Sequence, residues 1–323
     1  KVEILKILNR GIRNHQAGLL EDAQSCYKKV LSLDPENTEA NHFLGVITYQ
    51  LGDLQTGINL ISKSLSVNPR DFTALNNLGN AQAQGGRVGD AEKSFRNALK
   101  IKPDYATAYA NLGKLFISTE SFEAAIEHLN KAVHLEPNKP EYHQKLGQAF
   151  MLAGLLVEAK KSFYRTIVLS PNDYGTHNEL GIVYHAMGRF DEAESCFNNA
   201  LKINRMCIEA HINLGNLLED CLRFEEAKSK FHHALEIDSK NIDAHRNLGM
   251  LLLREKKFKS GFAHYAWRAS ANAREQELQF KGKSWDGERH KKNRLLIHAE
   301  QGFGDTIQFS RYIPLLEKKG FDV

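Results

Sequence analysis

Apolar residues recur at intervals of three and four along most of the chain, a spacing that predicts α-helices rather than strands. In residues 71–103 the pattern runs for about a dozen residues, stops at Gly85 and Gly86, and resumes until Pro103. Proline ends a helix because it lacks the backbone donor and clashes with the preceding turn. This stretch therefore predicts two short helices joined by a tight turn.

The same unit repeats with an unbroken period of 34 residues. One glycine marks each of eight periods: Gly11, Gly45, Gly79, Gly113, Gly147, Gly181, Gly215 and Gly249. A second series of small residues lies twelve positions after these glycines: Ala23, Gly57, Ala91, Ala125, Ala159, Ala193, Ala227 and Gly261. Five prolines share the period: Pro35, Pro69, Pro103, Pro137 and Pro171. The repeats extend over residues 1–268.

A large apolar side chain follows each small residue of the second series. Seven of the eight are Tyr27, Phe95, Leu129, Phe163, Phe197, Phe231 and Tyr265. The small residues predict close approach of the two helices, and the large side chains are expected to fill the groove between neighbouring pairs. Arg205 and Ser239 replace the periodic proline in repeats six and seven, so a softer helix end is expected there.

The combination of Leu-Gly, Ala, a large apolar residue, Ala and Pro on a period of 34 resembles the tetratricopeptide repeat, TPR. The resemblance covers roughly residues 4–268. It implies a solenoid, or right-handed superhelix, of about eight helix-turn-helix repeats. The predicted fold class is therefore all-α, with a short incomplete α/β segment expected after the repeats from the pattern of residues 295–323. It also implies that the first helix of each repeat lines a concave groove.

Asparagine dominates one position of these first helices, two residues before the periodic glycine. Five of the eight places hold it: Asn9, Asn77, Asn111, Asn213 and Asn247. An asparagine amide donates and accepts hydrogen bonds at once, so such a ladder could hold an extended peptide main chain. The alternative is that asparagine is merely tolerated on a solvated helix face.

Asn80 and Asn216 extend the ladder as the last residues of two "NLGN" motifs, which resemble those in the TPR region of eukaryotic O-linked N-acetylglucosamine transferases. Lys145 and Glu179 interrupt the series midway. They either divide the groove into two amide stretches flanking one charged pair or argue against a continuous peptide track.

Four histidines also follow the period: His143, His177, His211 and His245. Helices of neighbouring repeats pack ~8–10 Å apart, whereas a shared zinc needs ring nitrogens within ~2.1 Å of the metal. Tyr109 and Leu75 hold the same register, which favours packing. We therefore predict no metal site from this series.

The periodicity ends after Arg268, and residues 269–294 are expected to form an irregular connector. Residues 254–294 contain 12 Lys or Arg against five Asp or Glu, but the aromatic residues of this range do not alternate with the basic residues in the pattern of a nucleic-acid site. A solvated linker surface is the preferred interpretation, with no nucleic-acid partner.

Residues 295–323 predict the first strand and helix of a truncated Rossmann-like domain. "RLLIH" has the pattern of a buried strand, and Gly302 with Gly304 forms the following turn, where a helix N-terminus generally favours anions. A dinucleotide fingerprint would need glycine where Ile307 stands. The glycines alone thus do not predict a nucleotide site.

The segment "WDGE…LLIHAEQGFGDTIQFSRYIPLL" resembles the junction in bacterial TPR proteins that carry a C-terminal glycosyltransferase domain of the GT-B type, similar to the ADP-heptose heptosyltransferases of family 9. The resemblance implies that Asp305, after Gly304, is the candidate base, and that a longer protein would use a nucleotide-sugar donor. No cofactor is expected in this chain. Asp305 could equally cap the helix that begins near Thr306.

Two functions follow as hypotheses. The first is a scaffold that binds proteins or extended peptides and forms the N-terminal part of a glycosyltransferase cut short at residue 323, not catalytic by itself. The alternative is a stand-alone TPR adaptor with no enzymatic role. Four cysteines without metal-ligand spacing favour reduced thiols and a cytoplasmic location. No membrane span is expected, and self-association of the solenoid is possible.

Overall fold

The computed structural model describes residues 2–267 and 313–318. Residues 2–267 form sixteen helices in eight consecutive pairs. The first four pairs are α1 (Val2–Gln16) with α2 (Leu20–Leu33), α3 (Thr38–Gln50) with α4 (Leu54–Val67), α5 (Phe72–Gln84) with α6 (Val88–Ile101), and α7 (Ala106–Ser118) with α8 (Phe122–Leu135). The others are α9 (Pro140–Leu152) with α10 (Leu156–Leu169), α11 (Tyr174–Ala186) with α12 (Phe190–Ile203), α13 (Ile208–Asp220) with α14 (Phe224–Ile237), and α15 (Ile242–Arg254) with α16 (Phe258–Tyr265).

The pairs stack into an all-helical solenoid, as the period predicts. Each second helix contacts the first helix of its own repeat and the first helix of the next repeat. From α3 to α15, each first helix also contacts the first helix of the following repeat. The odd-numbered helices therefore lie side by side on one surface, which we call the inner surface, and the outward sides of the even-numbered helices form the outer surface.

The large periodic side chains pack in two directions. Phe95 is buried against Gly79 of its own repeat and clusters with Leu112 and Leu115 of the next. A methyl group built on Gly79 would lie 2.6 Å from the Phe95 ring, which is closer than carbon atoms pack. Filling of the groove between pairs is thus confirmed, with an equally close contact inside each pair.

A left-handed residue connects the two helices of every repeat, and it too recurs every 34 residues. Five of these positions are glycine: Gly18, Gly52, Gly86, Gly154 and Gly188. Glu120, Leu222 and Lys256 occupy the other three with φ of 57°, 61° and 63°. Only glycine adopts this conformation without steric cost.

The expectation of softer helix ends in repeats six and seven is wrong. α12 and α14 end at Ile203 and Ile237, in the same register as the helices that precede a proline. Asn204 and Asp238 replace the proline's effect, because each accepts a hydrogen bond from a backbone N–H two residues later, at 3.0 Å in both cases. Such a side-chain turn ends a helix without proline.

The second unit of the chain, Ala269–Val323, is described only in α17 (Ile313–Lys318), a single helical segment inside the predicted helix. The predicted strand at 295–298 and the basic connector at 269–294 lie outside the described residues.

Candidate functional site

The predicted asparagine ladder lies on the odd-numbered helices. Asn77, Asn111, Asn213 and Asn247 occupy equivalent places on α5, α7, α13 and α15, and all four are half-buried. Asn9 holds the same register on α1 but is exposed. Asn80 and Asn216 lie one turn from the ladder, both half-buried. The helix contacts of the inner surface place consecutive ladder positions in neighbouring repeats side by side.

The ladder amides bond directly to side chains of the preceding repeat. Asn111 Nδ2 donates to Asn76 Oδ1 at 2.9 Å, and Asn213 Nδ2 donates to Asn178 Oδ1 at 3.0 Å. These partners are 35 residues apart, one repeat plus one residue. Asn247 follows a different register and donates to Asn216 Oδ1 at 2.7 Å. Each amide is therefore held in one orientation by the repeat before it.

His42 takes the partner's place at the N-terminal end of the ladder. Asn77 Nδ2 donates to His42 Nε2 at 2.9 Å. Burial lowers the pKa of His42, which favours the neutral ring that this acceptor role requires. The contact has the same 35-residue separation as the Asn–Asn pairs.

These bonds use one amide hydrogen of each asparagine. In residues 2–267, no protein donor reaches the Oδ1 atoms of Asn77, Asn111 or Asn213. Each of these side chains therefore retains one acceptor atom and one N–H for a ligand. The side chain of Asn80 also makes no hydrogen bond within the described residues.

The interruption in the middle of the ladder is a network of amides around one carboxylate. Glu179 accepts hydrogen bonds from Gln144 Nε2 at 3.1 Å and from the amide of Gln148. Lys145 Nζ donates to Gln148 Oε1 at 2.9 Å. Lys145 and Glu179, predicted as a charged pair, are thus linked through Gln148, and no direct salt bridge joins them among the described residues.

Glu179 has a perturbed carboxyl group. Burial raises its pKa, and this effect outweighs the hydrogen bonds from Gln148 and Gln144 and the charge of Lys145, which favour ionisation. The middle of the inner surface therefore carries a partly desolvated acid among three polar neighbours.

Sequence reasoning missed the partners of the ladder: His42, Asn76, Gln144, Gln148 and Asn178. Four of them stand immediately before a ladder position. A paired polar dipeptide, such as Asn76-Asn77, was the available signal. Whether the first residue of such a dipeptide can bond to the ladder residue of the next repeat depends on the rotation between repeats, which sequence alone does not give.

The periodic histidines support the turns between repeats. Nε2 of His143, His177, His211 and His245 donates to a backbone carbonyl six residues earlier, at 2.9 to 3.0 Å. Asn41 makes the equivalent bond to Pro35 O at 3.1 Å. This structural role agrees with the packing predicted for them. In the part of the chain that the structure describes, no group of three or more His, Cys, Asp or Glu is placed to hold a metal ion.

The cysteines Cys26, Cys196, Cys207 and Cys221 are free thiols. Burial raises the pKa of Cys196 to about 11, so this thiol is unreactive at neutral pH. Among the described helices, none is long and apolar enough to cross a bilayer. Gly302, Gly304 and Asp305 lie outside the described residues.

Solved structures share this architecture. The Cut9–Hcn1 hetero-tetramer of the APC/C superposes with a TM-score of 0.60 at 18% identity, covering 84% of this chain and 54% of that one. A tetratricopeptide repeat protein from Parabacteroides merdae gives a TM-score of 0.59 at 17% identity, covering 78% of this chain and 100% of that one. At these identities the likeness concerns the fold alone.

Sequence comparison gives the same assignment. No curated protein matches the chain. Profiles of the tetratricopeptide repeat match residues 14–37, 49–106, 82–149 and 175–207, and none extends into residues 295–323. The matched segments all lie within the eight helix pairs described above, and the solenoid is therefore built from tetratricopeptide repeats.

Proposed function

We propose that this protein is an interaction scaffold whose inner surface binds an extended peptide through its main chain. The proposal rests on the row of asparagine amides, each held by the preceding repeat, of which Asn77, Asn111 and Asn213 keep an acceptor atom that no described residue uses. Peptide main chain offers N–H and C=O groups at regular intervals, which match a regular row of amides. Side chains of the peptide would contribute less to affinity than its backbone.

The spacing of the ladder fits such a ligand. Neighbouring helices pack ~8–10 Å apart, and an extended chain advances about 3.3 Å per residue, so one amide meets about every third peptide residue. Each hydrogen bond adds about 0.5–1.5 kcal/mol. Because the amides are already oriented, binding loses little side-chain entropy.

The ladder has two stretches, Asn77 with Asn111 and Asn213 with Asn247, separated by the Lys145–Gln148–Glu179 network. A peptide that spans both would pass an acid and a base at its middle. We therefore propose that the two stretches bind the main chain of the peptide through hydrogen bonds. The network between them would add selectivity for polar side chains of the peptide.

Binding by an unbiased peptide-display library tests the proposal. We expect selected peptides to lose affinity by about tenfold for the Asn77→Ala/Asn111→Ala variant, with helicity unchanged by circular dichroism. Asn130→Ala, an exposed change on α8, is the matched control and should bind as well as the parent. Methylation of backbone nitrogens in the peptide should weaken binding more than alanine substitution of its side chains. Equal affinity of parent and double variant would refute main-chain capture.

The glycosyltransferase role remains a proposal that rests on the resemblance of residues 295–323. Under it, the solenoid recruits acceptor proteins and Asp305 serves as base in a longer protein with a nucleotide-sugar donor. The stand-alone adaptor is the competing proposal. The coding sequence that follows Val323 separates them, because a GT-B enzyme needs several hundred further residues of alternating strands and helices.

A further inference from the structure

We propose that the outer surface of α10 is a contact between two copies of this chain, packed antiparallel about a two-fold axis. Three apolar side chains point outward from this helix: Val157, Tyr164 and Val168, exposed by 47%, 62% and 55%. We call them the α10 seam. No described residue covers them, although removal of apolar surface from water is favourable.

The α10 seam is peculiar to repeat five. The residues equivalent to Val157 in the other repeats are Glu21, Gln55, Gly89, Glu123, Asp191, Glu225 and Lys259. Those equivalent to Tyr164 in the other repeats with a full second helix are Lys28, Ser62, Arg96, Asn130, Asn198 and His232. Those equivalent to Val168 are Ser32, Ser66, Lys100, His134, Lys202 and Glu236. Apart from Gly89, the equivalent positions on the other helices are all polar, whereas all three are apolar on α10.

The spacing of the seam is that of a helix-pairing surface. Residues 157, 161, 164 and 168 are separated by four, three and four positions, the interval of alternating d and a positions in a coiled coil. Lys161 is the one polar member. A lysine in such a seam selects one register and orientation at some cost in stability.

Lys161 also decides the orientation of the second copy. In a parallel pair, Lys161 would face Lys161 of the other copy, and like charges at such a place repel. In an antiparallel pair centred between residues 162 and 163, Lys161 faces Tyr164 of the other copy, where an ammonium group is attracted by the ring. In the same register Val157 faces Val168 of the other copy.

Charges beside the seam complement each other in this arrangement. Glu158 and Arg165 flank the seam on the same side, at positions that meet across an antiparallel helix pair. Glu158 of one copy thereby approaches Arg165 of the other, twice about the axis. Glu158 has no salt bridge in residues 2–267, and Arg165 makes one hydrogen bond, to Asn138 Oδ1 at 3.1 Å. Both remain available to a second copy.

The flanking helices support the same arrangement. α8 carries Glu123 in its first turn and His134 in its last turn, and α12 carries Asp191 in its first turn and Lys202 in its last turn. An antiparallel two-fold contact on α10 sets α8 of one copy beside α8 of the other and α12 beside α12, each pair antiparallel, so that acidic ends face basic ends. The contact uses the outer surface only, so both inner surfaces stay open to peptides.

Sedimentation equilibrium of the purified 323-residue chain tests the proposal. We expect a monomer–dimer equilibrium at concentrations up to about 100 μM, the range of weak specific dimers. Tyr164→Glu and Val168→Glu should each raise the dimer dissociation constant by about tenfold or more, because a charge replaces a seam contact. Ser62→Glu, at the position equivalent to Tyr164 in α4 and three repeats away from the seam, should leave it unchanged. A parent chain that stays monomeric, or a Tyr164→Glu variant that dimerises like the parent, would overturn the proposal.

A charge exchange tests the antiparallel orientation. Glu158→Lys should weaken dimerisation by placing two cations together, as Arg165→Glu should with two anions. The double variant Glu158→Lys/Arg165→Glu should recover parent affinity, because the pairs are restored with reversed sign. Circular dichroism establishes that all variants are folded. Dimerisation that ignores the single changes, or no recovery in the double variant, would reject the antiparallel pairing.

Discussion

Glycine at the centre of each repeat is the residue that permits the helix pair to form. Gly147 faces the Phe163 ring, where an added methyl group would lie 2.7 Å away, and Gly79 faces Phe95 in the same manner. Both rings are buried, so they have no free space into which to withdraw. The periodic glycine is therefore required by ring packing, since its backbone is ordinary α-helix, where alanine would otherwise be preferred.

Gly79→Ala is accordingly expected to destabilise the protein. The new methyl group forces Phe95 or the helix backbone to shift, and such overpacking costs about 1–3 kcal/mol. Urea unfolding followed by circular dichroism measures the loss. Gly89→Ala is the matched control, because nothing lies within 4 Å of the methyl group it adds and alanine favours the helix. A Gly79→Ala variant as stable as Gly89→Ala would contradict the packing account.

The helix pair, as an element, depends on its connecting turn as much as on its packed faces. Leu222 joins α13 to α14 with φ of 61°, whereas Gly188 joins α11 to α12 with φ of 71°. A side chain in this region costs about 1–2 kcal/mol relative to ordinary helical backbone. Leu222 is 66% exposed, so its side chain contributes little packing in return.

Leu222→Gly should therefore stabilise repeat seven by about 1 kcal/mol, part of the relief being offset by the greater freedom of glycine in the unfolded chain. Hydrogen exchange of α13 and α14 measures this local free energy. The reciprocal change, Gly188→Leu, should reduce protection of α11 and α12 by a similar amount. Faster exchange in the Leu222→Gly variant would show that the side chain, rather than the backbone, governs this turn.

The sequence predicts these elements well because packing imposes a residue type at each periodic position. Close packing requires a small residue at Gly79 and a large one at Phe95, so the helix pair can be predicted from the sequence. The left-handed conformation of Leu222 could not be predicted in this way, because a left-handed residue need not be glycine. The bond from Asn111 to Asn76 depends on how one repeat is rotated against the next, so the ladder was predicted but its fixed orientation was not.

At the scale of the whole solenoid, contacts reach only between neighbouring repeats. Each helix pair packs on the pair before it and the pair after it, and the buried clusters follow in series along the array. Stability is then approximately a sum of repeat terms and interface terms, unlike that of a globular domain with one core. A lesion in one repeat should accordingly affect its neighbours and leave distant repeats folded.

Phe163→Ala tests this locality. Phe163 is fully buried on α10 and clusters with Leu180 and Val183 of the next repeat. Loss of a buried phenylalanine costs about 3–5 kcal/mol. Hydrogen exchange followed by mass spectrometry should show faster exchange in α9 to α12, while α1 to α4 keep the protection of the parent chain. A uniform rise in exchange from α1 to α16 would instead mean that the eight repeats unfold as a single cooperative unit. In that case the inner surface would be either completely folded or completely unfolded. If unfolding is local, by contrast, the stretch at Asn77 and Asn111 can still bind a peptide when a middle repeat is unfolded.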